Sequence, residues 1–131
     1  YDNVRFISKI YGAPVKETFE FVDDFTEIGK QLFMPMRFYS SGMRMRVAFA
    51  LSLAIDFECF LIDEVLLVGD MKFQEKCKQA IFDGKSDRAM ILAIHGPETV
   101  KEYCTSALVL KSGHGRVFDD VNLACDIYTT L

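Results

Sequence analysis

The first twelve residues, YDNVRFISKIYG, place apolar side chains at helical spacing, and Gly12 and Pro14 then interrupt the run. This pattern predicts helices over 3–11 and 15–27. In the second helix Phe19, Val22, Phe25 and Ile28 form one stripe, with Glu17, Glu20, Asp23 and Asp24 largely off it. Met34-Pro35-Met36 predicts an extended connector, because a residue before proline is pushed out of the helical region. After Tyr39 the pattern becomes an alternation. Helices are expected over 42–55, 72–82, 98–103 and 121–128. Short, continuously apolar strands are expected over 59–62, 89–94 and 107–110, and a further strand over 116–118 follows a KSGHG turn. Strands apolar on both faces and separated by helices predict an α/β fold with a parallel sheet covered on both sides.

Bulk properties narrow the function classes. The 131 residues make one domain or part of one, with half of them hydrophobic and a net charge of -4. That charge gives no electrostatic case for binding nucleic acid or an anionic membrane surface. Cys59, Cys77, Cys104 and Cys125 form no CxxC pair, which argues against a zinc site or a disulfide framework and fits a reducing compartment. No apolar run approaches the length of a membrane span. The opening residues read as an amphipathic helix rather than a signal peptide, and a chain starting at tyrosine is expected to be a piece of a longer protein.

Ligand sites in open α/β sheets lie at the carboxyl ends of the strands. Asp63-Glu64 falls there, directly after CFLI, and His95 falls there after MILAI. One acidic residue in that place is ordinarily a turn or cap. Two in succession after an apolar strand point to a metal or a partner, since desolvating both is costly. An apolar strand ending in Asp-Glu is the pattern of the second motif of a P-loop ATPase. A lone strand-end histidine is ordinarily a hydrogen-bonded surface residue, and His114 in the KSGHG turn has no other reading. His95, Cys104 and His114 lack any metal-ligand spacing. Ser40 or Ser41 can cap the helix that follows, and Gly42 lets its backbone approach an anion closely.

The ordered set YSSGMRMRVAFALSLA, CFLIDE, Asp70 and His95 resembles the ATP-binding subunits of ABC transporters. YSSGM stands at the place of that family's signature, FLIDE at its Walker B strand, Asp70 at its D-loop aspartate and His95 at its switch histidine. RFISKIYG and DEVLLVGDMKFQEKC look like a narrower branch, the ATPases that export capsular polysaccharide, with O-antigen and teichoic-acid exporters as relatives.

The resemblance implies a P-loop NTPase fold. Residues 1–39 would be part of the helical subdomain, and 40–131 the C-terminal part of the ATPase core. It implies ATP and Mg²⁺, with Asp63 holding the ion through water, Glu64 as general base and His95 at the γ-phosphate. Ser40, Ser41, Gly42 and Met43 would close on ATP held by a second ATPase subunit, and Asp70 would lie at the dimer seam. Membrane-spanning permease subunits and a polysaccharide export apparatus would be the further partners, at the cytoplasmic face of the bacterial inner membrane. Met43 in place of glutamine and Ser41 in place of glycine depart from the family's usual signature but suit the export branch.

A larger departure is the absence of GxxxxGK[ST], the loop that cradles phosphates. Gly84-Lys85-Ser86 is a decoy, with Gln79 five positions before Gly84 and a helix rather than a strand ahead of it. The chain taken alone is therefore expected to bind ATP weakly and to hydrolyse little. Two other readings follow from the same residues: a soluble ABC-type ATPase without a membrane partner, and a non-catalytic interaction module.

Overall fold

In the computed structural model, residues 1–64 and 69–130 are described; the VLLV stretch at 65–68, part of the DEVLLVGD segment, and residue 131 lie outside them. The chain divides into two compact units, Tyr1–Ile91 and Leu92–Leu131.

The first unit opens with helices α1 (Asp2–Ile10) and α2 (Val15–Thr26), followed by two short 3₁₀ turns, Gly29–Phe33 and Met36–Phe38. Helix α3 (Ser41–Ala54), strand β1 (Cys59–Asp63) and helix α4 (Met71–Phe82) complete it. Strand β2 (Ala89–Ala93) pairs with β1, and Ala89 N–H donates to the Glu58 carbonyl at 3.1 Å.

Most of the expected stripe on α2 faces inward. Val22 and Phe25 are buried, while Phe19 is half-buried beside Phe33. Thr18 and Thr26 are also buried, which hydrophobicity does not anticipate. Their hydroxyls donate back to the carbonyls of Pro14 and Val22, at 2.9 and 2.7 Å, so neither is left unsatisfied. The centre of this unit is aromatic. Phe25 of α2 lies 6.0 Å from Phe49 of α3 and 5.6 Å from Phe73 of α4, ring centre to ring centre. Val47, Ala50, Leu53, Cys77 and Ile81 fill the surrounding space.

Two expectations need correction here. The connector at 34–36 is extended only at Met34 and Pro35; Met36 already begins a 3₁₀ turn, closed by the Tyr39 N–H on the Met36 carbonyl at 3.0 Å. The β1 strand, apolar throughout, is covered on one face rather than two. Phe60 and Ile62 are buried, whereas Leu61 is 78% exposed and Ile91 on β2 is 63% exposed. Apolar composition alone cannot report which face has a neighbour.

The second unit holds α5 (Pro97–Tyr103), the antiparallel hairpin β3 (Ala107–Lys111) and β4 (His114–Phe118), and α6 (Val121–Thr130). Lys111 pairs with His114, so the hairpin turn is Ser112-Gly113 alone. Both have positive φ, 48° and 78°, as a two-residue turn matched to strand twist requires. His114 is therefore a strand residue, not a turn residue. Among the described residues the sheets are two-stranded, giving a small mixed helix and strand architecture.

Candidate functional site

The Ser-Ser-Gly stretch forms the start of α3. Ser40 is the N-cap: its Oγ accepts from the Met43 N–H at 3.2 Å, and Ser41 becomes the first helical residue. Ser40 and Ser41 are exposed, and Gly42 and Met43 half-buried. A Cβ placed on Gly42 would meet nothing closer than Ser40 Oγ at 4.0 Å, so the helix start is open to an approaching group. A capped helix start of this kind carries outward N–H groups and the positive end of the helix dipole.

Asp63 ends β1 and Glu64 follows it, both exposed. Glu64 has φ 51°, in the left-handed region that non-glycine residues seldom occupy. Such a conformation costs about 1–3 kcal/mol and tends to mark functional positions. Neither carboxylate is desolvated here, which corrects the burial argument made for them from sequence.

Asp70 caps α4. Its Oδ1 accepts from the Phe73 N–H at 2.9 Å, and this hydrogen bond, with the Arg46 guanidinium also nearby, holds its carboxyl below the usual range. Gly69 precedes it at φ 85°, where a Cβ would also press on the Phe73 ring at 3.1 Å.

Sequence reading passed over Arg46 and Lys76, which bind these parts together. Arg46 donates to Asp70 Oδ2 at 2.9 Å and to the Thr26 carbonyl at 3.3 Å, and its guanidinium lies 4.4 Å from the Phe73 ring centre. Lys76 donates to the carbonyls of Asp24 and Phe25, at 3.3 and 3.0 Å, and to Glu27 Oε1 at 2.8 Å. The last turn of α2, whose C-cap Glu27 is left-handed at φ 56°, is thus closed by cations from α3 and α4. The available signal was the pair Arg44 and Arg46, charges in the first half of a helix that is otherwise largely apolar.

In the second unit, His95 is exposed and its Nδ1 lies 3.2 Å from the Tyr128 hydroxyl. His114, also exposed, stands on the hairpin. The decoy Gly84-Lys85-Ser86 follows α4, and the Gly84 N–H donates to the Gln79 carbonyl at 3.1 Å, so it is a helix end rather than a phosphate loop.

No protein-family model matches the chain. Curated relatives do. The capsule polysaccharide export ATP-binding protein CtrD of Neisseria meningitidis is 45% identical over 130 residues, 99% of this chain and 60% of the relative. The ATP-binding protein BexA of Haemophilus influenzae is 45% identical over 127 residues, 97% of this chain and 58% of the relative. The polysialic acid transport ATP-binding protein KpsT of Escherichia coli is 41% identical over 131 residues, 97% of this chain and 59% of the relative. This chain is a homologue of the polysaccharide-export ATP-binding proteins. Similarity extends to the teichoic acids export ATP-binding protein TagH of Bacillus anthracis, at 37% identity over 115 residues. The chain spans about 60% of the length of these three curated relatives.

Among the described residues no helix is long and apolar enough to cross a membrane. Nor do they contain a cluster of three or more His, Cys, Asp or Glu that could cage a metal. Mg²⁺ is commonly held by one or two carboxylates together with substrate phosphates and water. An exposed Asp63 at a strand end suits such a role.

Proposed function

We propose that the chain is the C-terminal part of the ATP-hydrolysing subunit of an ABC exporter for capsular or a related cell-surface polysaccharide. The carrying observation is the near-complete coverage of this chain by export ATP-binding proteins at 41–45% identity. The exposed Asp63-Glu64 pair closing an apolar strand supports the same reading. On it, residues 1–39 are helical subdomain and 40–131 are core. Strands β1 and β2 continue a larger parallel sheet, of the P-loop NTPase kind, formed with the rest of the protein.

Glu64 accepts a proton from the attacking water as general base, a role worth about 10²–10⁴-fold in rate. Asp63 would hold Mg²⁺ through water, and the ion, when bound, would supply neutralisation of the charge that develops on the phosphates. His95 donates to a γ-phosphate oxygen. The α3 start, with Ser40, Ser41, Gly42 and Met43, binds the γ-phosphate of ATP seated on a second subunit, in a head-to-tail homodimer. Asp70 lies at that seam. The exposed surface of α1 and α2, including Phe6 and Ile10, faces membrane permease subunits on the cytoplasmic side of the inner membrane, and through them the polysaccharide export apparatus.

The deciding experiment is ATP hydrolysis by the full-length protein carrying this chain, beside the same protein with Glu64→Gln. Activity that is lost with Glu64→Gln supports both the ATPase reading and the base assignment. An inactive parent, assayed with its permease present, overturns the reading.

A further inference from the structure

His95 and Tyr128 stand 33 positions apart in sequence and meet because α6 is fixed onto the segment that follows His95. The helix begins on a strong cap, with Asp120 Oδ1 accepting from the N–H groups of Asn122 and Leu123 at 3.0 and 3.1 Å. Ala124 and Cys125 are buried. The Cys125 thiol donates to the carbonyl of Pro97, two residues beyond His95, at 3.7 Å. Lys101 of α5 pairs with Asp126 at 3.8 Å. Tyr128 lies three residues past Cys125, close to one turn further along the same side of α6. That places its phenol at the histidine, with Oη 3.2 Å from Nδ1.

The two nitrogens of an imidazole are not equivalent, and the partner of one fixes what the other can do. A phenol that donates to Nδ1 makes that nitrogen the acceptor and leaves Nε2 carrying the proton. Nε2–H then points away from Tyr128 as a hydrogen-bond donor suited to an anionic oxygen.

We propose that Tyr128 is a positioning residue for His95, its hydroxyl holding the imidazole in the Nε2–H tautomer and in one orientation toward the γ-phosphate. The proposal rests on the ATPase reading for its purpose, but the pairing itself is a property of these two side chains. Tyr128 is 43% exposed, and the packing of α6 is carried by Ala124 and Cys125. Tyr128→Phe therefore removes one oxygen without removing a core contact.

The test uses the full-length protein with two readouts. The first is the ¹⁵N NMR signature of the His95 ring, assigned by its loss in His95→Gln. At a pH where the ring is neutral, wild type should show an acceptor Nδ1 and a protonated Nε2, and Tyr128→Phe should move both signals toward a tautomer average. The second is steady-state hydrolysis. Tyr128→Phe should lower kcat by about three- to tenfold, the scale of one hydrogen bond, with the KM for ATP held within about twofold. In a His95→Gln background the same substitution should change nothing further.

Ring signals unchanged by Tyr128→Phe overturn the proposal. So does a kcat loss of equal size with and without His95, which would make the tyrosine a general structural residue. If the wild-type protein hydrolyses no ATP, the function proposed above falls, and the ring signals alone decide the pairing.

Discussion

Arg46 Nη2 lies 2.9 Å from Asp70 Oδ2, joining the second turn of α3 to the cap of α4. The two residues are 24 apart in sequence, and each has a further task. Asp70 caps its helix through the Phe73 N–H, while Arg46 reaches the Thr26 carbonyl and covers the Phe73 ring. Arg46 is the more shielded partner, with 23% of its side chain exposed against 63% for Asp70. Its value to the fold therefore lies more in the carbonyl and ring contacts than in the ion pair, which solvent screens.

Arg46→Met should destabilise the chain by roughly 1–2 kcal/mol, the scale of one charged hydrogen bond plus one cation–π contact. Arg46→Lys should recover only part of this, since an ammonium cannot reach a carboxylate, a carbonyl and a ring face with one planar fork. Urea unfolding midpoints check the ranking. Arg46→Lys equal to wild type would show that charge alone matters and that the fork does not.

Acid should loosen the same junction. Glu27, held down by its hydrogen bond from Lys76 and the charges of Lys76 and Lys72, shares a lowered carboxyl pKa with Asp70, held down mainly by the Phe73 N–H. Because both are lower in the folded chain than in the unfolded one, falling pH loads protons onto the unfolded chain first. Their contribution is complete above about pH 5 and is lost as the pH falls through the folded values. Urea midpoints measured from pH 7 down to 3 should fall. The Glu27→Gln, Asp70→Asn double variant should show a shallower fall, and an identical slope would exclude these two carboxylates as its source.

Glu64 holds a conformation that glycine would adopt without strain. Glu64→Gly should therefore be more stable than Glu64→Gln by about 0.5–1 kcal/mol, although both remove the proposed base. The comparison isolates backbone from side chain, because glutamine keeps the size of the glutamate and inherits its φ. Thermal unfolding of the two variants measures the difference. A glutamine variant at least as stable would mean that the turn after β1 relaxes without glycine.

Much of this arrangement was legible beforehand because local rules govern it. Helix starts at Ser40 and Asp70, the break at Gly12 and Pro14, and the apolar strand ending on Asp63 all follow from caps, breakers and period. What was missed is long-range. The burial of Thr18 and Thr26 depends on back-bonding that hydropathy does not count, and the exposure of Leu61 depends on which strands lie beside β1. Arg46, Lys76 and Tyr128 gain their meaning from partners 20 to 52 residues away, a distance at which spacing carries no signal.

The two cysteines nearest β1 and α4 offer a direct test of that exposed face. Cys77 is 1% exposed, and burial pushes its thiol up to about 11. Only the thiolate attacks an alkylating reagent, so burial both hides Cys77 and keeps its thiol protonated at pH 7. Cys59 lies on the open side of β1, alternating with buried Phe60. Iodoacetamide should therefore label Cys59 of the isolated chain promptly and Cys77 only on unfolding. If the longer protein packs helices over that open side, as on a parallel sheet, it becomes interior, and Cys59 labelling in the full-length protein should slow by at least roughly tenfold. The isolated chain, with Leu61 and Ile91 uncovered, should also self-associate as concentration rises. Equal Cys59 labelling rates in the two proteins, with a monomeric isolated chain, would make this face a true surface and remove the case for a sheet covered on both sides.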